Sequence, residues 1–505
     1  MKRIYFIMLA VIAMIVLLVV LNNTNTKNAQ AIFVAPTGND HNEGSKSKPF
    51  RTLKKAASEA KPGTTVYIRK GTYHESLVIR HSGTKSKPIK FKAYKNEKVV
   101  LSGKGVDHLS GDTALVTIKN KNYVTIMGLS IQDLTTNLAD ETVMGIYVTG
   151  SSSHITLENN HVQRIKTFAD DGNAHGIAIY GTGPMNDINI LNNTVEKLKL
   201  GASESIVLNG NIDGFRVENN LVRYTDNIGI DLIGYEGVSH DKDADYVRNG
   251  VVQENKVYEV SSFGNPAYGE EYSAGGIYVD GGKKITIKKN TIFNSDIGIE
   301  ATSEHANKYA ENIIIIDNIV YNNYYTGISI GGYDENRGGT VHSTISKNIV
   351  YRNDIKGLDG GQILLQHDIK NNIIEKNVLS AGPSRLFIVN DFTTNQKNIL
   401  KRNVFHKEKG KAGLWVWKEK EYTSFSDFKA ASKSDAKSSY INPKYKNEDK
   451  YDFTMEKDSL AKKIVKSKGI KIQKTQKETQ ILTTNLSLNS YRFLFPNTLL
   501  PPPAI

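Results

Sequence analysis

The chain has 505 residues, no cysteine, and a formal charge of +13 from 65 Lys and Arg against 52 Asp and Glu. Without cysteine there is no disulfide staple and no thiolate chemistry, so stability must come from packing and hydrogen bonds. The basic excess is spread along the chain and no nucleic-acid-binding module accompanies it. It reads either as a solvated lysine-rich surface or as attraction to an anionic polymer such as an acidic polysaccharide, and nucleic acid is not an expected partner.

Residues 4–21 form an unbroken apolar run after Lys2 and Arg3, followed by the A-x-A pattern Ala29-Gln30-Ala31. Residues 1–31 therefore read as a secretory signal cut after Ala31, or as a membrane anchor, since 4–21 is long enough to span. A secreted or cell-surface protein is expected in both cases. Residues 32–49 are rich in turn formers, and 50–61 predict a short amphipathic helix with Phe50, Leu53, Ala56, Ala57 and Ala60 on one face, stopped by Pro62-Gly63. Strands are expected at 65–68, 77–79, 89–93 and 99–102. Segment 32–103, through the words "FVAPTGNDHNEGSKSKPFRTLKKAASEAKPGTTVYIRKGTYHESLVI" and "SGTKSKPIKFKAY", resembles the N-terminal segment of many secreted carbohydrate-active β-helix enzymes. Its second half also resembles the start of chondroitinase-B-type lyases. The resemblance implies a fold, with the helix capping an open solenoid edge. It does not imply a reaction, because hydrolases, lyases and epimerases share it.

From 104 to 422 one phrase recurs, centred on Asn160, Asn193, Asn220, Asn255, Asn290, Asn318, Asn348, Asn377 and Asn403, at intervals of 33, 27, 35, 35, 28, 30, 29 and 26 residues. Apolar residues alternate before each Asn, and a β-branched or apolar residue follows two places after it. A fixed period with strand alternation predicts a β-solenoid of about ten coils. The variable spacing predicts one tight corner per coil and insertions elsewhere. Asn tolerates the left-handed backbone of a sharp corner, and its amide can bond to the Asn one coil away. The pattern resembles the inner Asn ladder of right-handed parallel β-helix proteins of the pectate-lyase-like superfamily, which implies an all-β, right-handed parallel β-helix; a monomer is expected. Segment 423–470, with "DFKAAS" and "INPKYKNEDKYDFTMEKDSLAKKI", resembles the C-terminal closing module of such helices. Residues 471–505 fit no coil and read as a disordered tail.

A second column of phrases carries the chemistry. It runs His175 to Tyr180, then 204–211 with Glu204 and Asn209, then 229–236 with Asp231, Tyr235 and Glu236. It continues through Tyr278 and Asp280, then Glu300 with Glu304 and His305, then Tyr333 and Asp334 with Arg337 behind. Alternate side chains of a strand share a face. With Ile230, Val279 and Ile299 inward, Asp231, Asp280 and Glu300 point outward on coils about 4.8 Å apart. The register is open by two residues, leaving Asp280 directly beside Glu300 or diagonal to it. Like charges so placed repel and raise at least one pKa, as a general acid requires. Carboxylates about 5–5.5 Å apart suit a retaining glycosidase, and about 6.5–9.5 Å an inverting one. The bland alternative is an ion site or a solvated sheet edge. The pair resembles the Asp and Glu that β-helix β-xylosidases place on successive coils, although Gly281 stands where an aromatic residue follows the Asp. His175, Glu204, Asn209, Glu236, Glu304, His305, Asp334 and Arg337 are candidate binding residues around this face. Tyr180, Tyr235, Tyr278 and Tyr333 are candidates for stacking on sugar rings, and the stretch 235–274 reads as an insertion walling a cleft.

The expected function is cleavage of a polysaccharide by hydrolysis, with Asp280 as nucleophile or base, Glu300 as acid, and Asp231 tuning them or binding sugar. One alternative is a pectate-lyase- or chondroitinase-B-like lyase with calcium on Asp231, Asp280 and Glu300. That reading needs a Lys or Arg base, and Arg337, Lys283 and Lys284 are the nearest. The other alternative is a non-catalytic glycan-binding or envelope scaffold. The Asn-Thr-Asp, Gly-His-Gly and Arg-Ile-Lys words of polygalacturonases are absent; Asp170-Asp171 with His175-Gly176 is a faint echo.

Overall fold

In a computed structural model, residues 30–466 are described except 96, 107–110, 408–409, 411 and 436. The expected signal or anchor up to residue 29 and the tail 471–505 lie outside the described residues. Ala31 already pairs with Thr65 at the start of the strand Ala31–Val34, so a cut after Ala31 would fall inside the first strand.

Coil strands pair in parallel throughout, in one sheet of 25 strands and a second of 13. Ten strands of the second sheet fall within 104–422, matching the expected coil number; two lie before that stretch and one after it. The interior is built from stacked identical positions. Ile177, Ile206, Ile230, Ile277, Ile299, Ile328, Ile363 and Ile388 form one continuous column. The residues two places after the ladder Asn form another, from Val162 through Val195, Val222, Val257, Ile292, Val320 and Val350 to Leu379. Both columns are fully buried. β-Branched side chains suit this packing because their stiff χ1 costs little entropy on a pleated surface.

The Asn ladder runs unbroken from Asn160 to Asn403. Each backbone N–H and each Nδ2 donates to the Oδ1 of the next Asn, for example Asn290 N and Nδ2 to Asn318 Oδ1 at 2.9 and 3.0 Å. The second Nδ2 hydrogen goes to a carbonyl of the preceding coil, as in Asn290 to Val252 at 3.0 Å. One expectation is corrected here: the ladder Asn is not the left-handed residue. The residue before it is, with φ between 53 and 60° at Asn159, Asn192, Asn219, Glu254, Lys289, Asp317, Lys347, Lys376 and Arg402. A left-handed Glu, Lys or Arg costs about 1 kcal/mol or more. The corner accepts that cost because only this turn aims both the N–H and the amide of the next residue along the axis.

The N-terminal helix spans Leu53–Glu59, shorter than 50–61 at both ends. Phe50 is already committed to a bridge with Val34, and Thr52 caps the helix by accepting from the Lys55 N–H at 3.1 Å. Ala60 is extended and begins the exit. The whole predicted face, Phe50 to Ala60, is buried against the first coils. At the other end Trp415, Phe387, Phe405 and Phe428 plug the core, with the helix Phe425–Ser432 laid over it. The hairpin Tyr445–Asn447 and Asp452–Met455 and the helix Leu460–Lys466 turn back onto the second sheet. There Tyr451 stacks on Tyr321 at 4.6 Å. The stretch 235–274 is not one insertion: Val247–Gln253 and Lys256–Val260 are ordinary coil strands, with loops 234–246 and 261–274 on either side.

Candidate functional site

The register of the acid-bearing strands is settled by the inward Ile column. Ile230 faces Ile277 and Ile277 faces Ile299, so Asp231 lies opposite Tyr278 and Tyr278 opposite Glu300. Asp280 lies opposite Thr302, diagonal to Glu300. All three acids point outward as expected. They are not solvated, however: Asp231, Asp280 and Glu300 are 2%, 4% and 6% exposed.

Around them the chain gathers more carboxylates than cations. The Glu304 N–H donates to Asp280 Oδ1 at 2.7 Å, and the Tyr278 hydroxyl donates to Glu304 Oε1 at 3.1 Å. His305 Nε2 is 3.0 Å from Glu236 Oε1, which reaches over from loop 234–246. Arg337 Nη1 donates to the Glu304 carbonyl at 3.3 Å. Its guanidinium stacks 4.7 Å from the Tyr333 ring, with Asp334 Oδ2 3.7 Å from Nε. At the other end His175 Nδ1 lies 3.2 Å from the Glu204 carbonyl and 3.4 Å from Glu204 Oε2, and the Tyr180 hydroxyl lies 3.3 Å from His175 Nε2. Asn209, 4% exposed, stands between Tyr180 and Ile233 on the outer face, and its Oδ1 has no partner.

Burial dominates the electrostatics, and mutual repulsion adds to it. Burial, then the charge of Glu236, pushes Glu204 up to about 8. Burial, then Glu304, pushes Glu300 up to about 8, against a hydrogen bond with Ser329 that favours the anion. Asp231 is raised well above the carboxylate range by burial and Glu204, and Asp280 by burial and Glu304. Glu304 is raised less, because Arg337, Tyr278 and His305 oppose burial. Desolvation lowers His175 to about 4, so with Glu204 near 8 both partners are uncharged at neutral pH and their contact is not an ion pair. These shifts fix a sign for stability. A carboxyl whose folded pKa is raised above its unfolded 4.5 stabilises the fold below that value, and the contribution is lost as pH rises through about 8. The melting temperature is therefore expected to fall between about pH 5 and 9, by a few kcal/mol in stability, and to fall less in Glu300→Gln. Thermal unfolding across a pH series at constant low salt checks this.

Three predicted roles are not supported. The Tyr235 ring is already covered: it packs against Gly281, lies 5.7 Å from Tyr246, and sits under Lys283 and Lys308 at 5.9 and 4.9 Å. Lys283 reaches Glu311 at 3.4 Å, so it offers the acids no base. Nor do Asp231, Asp280 and Glu300 converge as a calcium set, since Tyr278 stands between Asp231 and Glu300. Among the described residues, the group that brings donor atoms within 4.8 Å of one another is Glu236, Asp280 and His305. A His donor suits a transition metal better than calcium.

Sequence reasoning missed Tyr268 in loop 261–274. It is held by the Asn227 Nδ2–H at 2.9 Å, and its hydroxyl is raised by burial and by Glu204, Glu304 and Asp231. Nothing periodic marks it. Also missed was an open groove of about 620 Å³ on the same face, lined in part by Asp112, Lys119, Tyr147, Thr149 and His240. Tyr147, Ala178 and Val207 occupy the column that continues to Asp231. An apolar floor of Ala178, Val207 and Ile233, flanked by Tyr147 and Tyr180, thus joins groove and acids in one strip.

Residues 32–221 match the family described as Pel9A-like, right handed beta helix region, and residues 206–429 the family described as right handed beta helix region. The sequence is 58% identical over 469 residues to the Bacillus subtilis (strain 168) protein YwoF, described as uncharacterized, covering 92% of this chain and 100% of that one. The chain belongs to the YwoF family. It is a pectate-lyase-like right-handed β-helix protein, as its N-terminal words and Asn ladder imply. Pectate lyase PEL9 of Emericella nidulans is 28% identical over 150 residues, 28% of this chain and 33% of that protein. The Azotobacter vinelandii mannuronan C-5 epimerase AlgE6 A-module superposes with a TM-score of 0.47 at 13% identity, over 77% of this chain and 92% of that one. That likeness is too remote to bear on chemistry.

Proposed function

We propose that this protein is exported and cleaves a polysaccharide by hydrolysis, with Glu300 as general acid and Asp280 as general base. The observation that carries this is the diagonal placement of two buried carboxyls on one face of successive coils, with Glu300 holding its proton up to about pH 8. Diagonal neighbours on adjacent strands lie about 7–8 Å apart, within the inverting range, where a water fits between base and sugar. Burial and Glu304 raise Asp280, while the Glu304 N–H donates to Asp280 Oδ1 and favours its anion, the form that serves as the base. Asp231, raised by burial and by Glu204, lines the floor. Tyr147 and Tyr180 on the apolar floor offer ring faces to sugars.

The similarity to a pectate lyase supports β-elimination of a uronate polymer as the second reading. The Pel9A-like match, however, ends at residue 221, before Asp231, Asp280 and Glu300. The acids also have Arg337 as their nearby cation, already engaged with Glu304 and Tyr333. A depolymerisation screen on neutral, amino-sugar and uronate polymers, with and without calcium, reads reducing ends and unsaturated-uronate absorbance in parallel. New reducing ends without absorbance are expected. Calcium-dependent absorbance would turn the answer to a lyase, and binding without turnover to a glycan-binding scaffold.

A further inference from the structure

We infer that the acidic strip recognises a glycan bearing protonated amines, that is, a polymer of amino sugars that are not N-acetylated. This rests on the reading of the strip as a glycan cleft and names its substrate class. The chain as a whole is basic, at +13, yet on this one face Glu204, Asp231, Glu236, Asp280, Glu300 and Glu304 gather around a single guanidinium. With the cleft empty, burial and mutual repulsion hold Glu204 and Glu300 protonated; an ammonium placed among these carboxyls favours their ionised form, whereas a uronate adds to the repulsion. Burying like charges costs stability, and a site that keeps them returns the cost when a cation arrives.

Two further groups point to a donor-rich ligand. Asn209 Oδ1 is an acceptor without a partner, on the outer face one coil before Asp231, in a side chain 4% exposed. Thr302 Oγ1, opposite Asp280 and wholly buried, is also unpartnered. An ammonium carries three donors and no acceptor, which complements carboxylates and an amide oxygen.

A single metal ion accounts for less of the arrangement. Asp231 and Glu300 are two coil steps apart, about 10 Å, beyond the reach of one ion. Glu236, Asp280 and His305 are the part that converges. A chain of amino sugars carries a positive charge on each ring and so matches acids spread along the axis.

The test uses the full chain and paired oligomers of glucosamine and of galactosamine, each free and N-acetylated, with oligogalacturonate as the anionic arm. Binding is measured by calorimetry and cleavage by reducing ends, at about pH 6 where sugar amines are protonated. The amine forms are expected to bind at least about tenfold more tightly than the acetylated ones, with the preference shrinking at high salt and falling about tenfold in Glu304→Gln. Glu236→Gln, on an exposed loop, gives the same reading if the buried variant fails to fold. Equal or tighter binding of the acetylated forms or of oligogalacturonate overturns the inference, as does no binding of the amines at all. Cleavage of acetylated or neutral oligomers in preference leaves the hydrolase reading standing and removes the amine. Amine-selective binding without cleavage does the reverse.

Discussion

Replacing Glu300 with Gln is expected to lower kcat by roughly 10²- to 10⁴-fold while KM changes little. Gln keeps the shape of Glu300 and a hydrogen bond toward Ser329, so the floor beside Tyr278 stays packed. What it loses is the proton. Leaving-group protonation is the step that needs an acid still protonated at neutral pH, and burial with Glu304 nearby supplies that property at Glu300. The pH profile should follow. Wild-type activity declines above about pH 8 as Glu300 ionises, and that limb disappears in the variant. An activated aryl glycoside, whose leaving group needs no protonation, should recover much of the rate in Glu300→Gln but none in Asp280→Asn. Initial rates on both substrate types decide it. A Glu300→Gln enzyme with near wild-type kcat on the natural polymer sinks the assignment.

Asn290→Ala is expected to destabilise the protein by about 3–5 kcal/mol, measured by urea unfolding at constant m. Its side chain accepts from the Asn255 N–H at 2.9 Å and Asn255 Nδ2 at 3.0 Å, and donates to Val252 O and Asn318 Oδ1. Removing it takes this partner from the Asn255 N–H, one Asn255 Nδ2 hydrogen and Val252 O at a position with no solvent access, while Asn318 Oδ1 keeps only the Asn290 N–H. The neighbouring residue is the control. Lys289 has φ 55°, so Lys289→Gly removes strain and should be neutral or stabilising by up to about 1 kcal/mol. If both variants behave alike, the amide column does not hold the corner.

The ladder was legible because its bonds demand one residue type at one place in every coil. The same holds for the cap face from Phe50 to Ala60, which the 3.6-residue period reveals. The acids were legible as outward residues, because alternation fixes a face. Their register was not, because Ile277 and Val279 are both inward and either could align with Ile299; the stacking of Ile277 on Ile230 decides it. Their burial was not legible either, since groups around them such as Glu304 and Glu236 come from the loops between strands, which have no period. Tyr235 misled for a related reason. It follows the strand Ile230–Ile233 after a turn at Gly234, and beyond that turn alternation no longer assigns a side.

The ladder spacing also bears on how the chain comes to be folded. Every rung joins residues 26 to 35 apart in sequence, however far the coil lies from either terminus. The entropy of closing the next loop is therefore nearly constant, because it grows only with the logarithm of loop length. A chain built this way can grow by accretion: once a few coils have formed a nucleus, each new turn finds a finished template to add to. The leading edge is then adhesive at every stage, offering unpaired strand groups and an open Asn amide to any segment of similar pattern, including one from another copy. The helix at one end and the Trp415 plug at the other are what stop that growth.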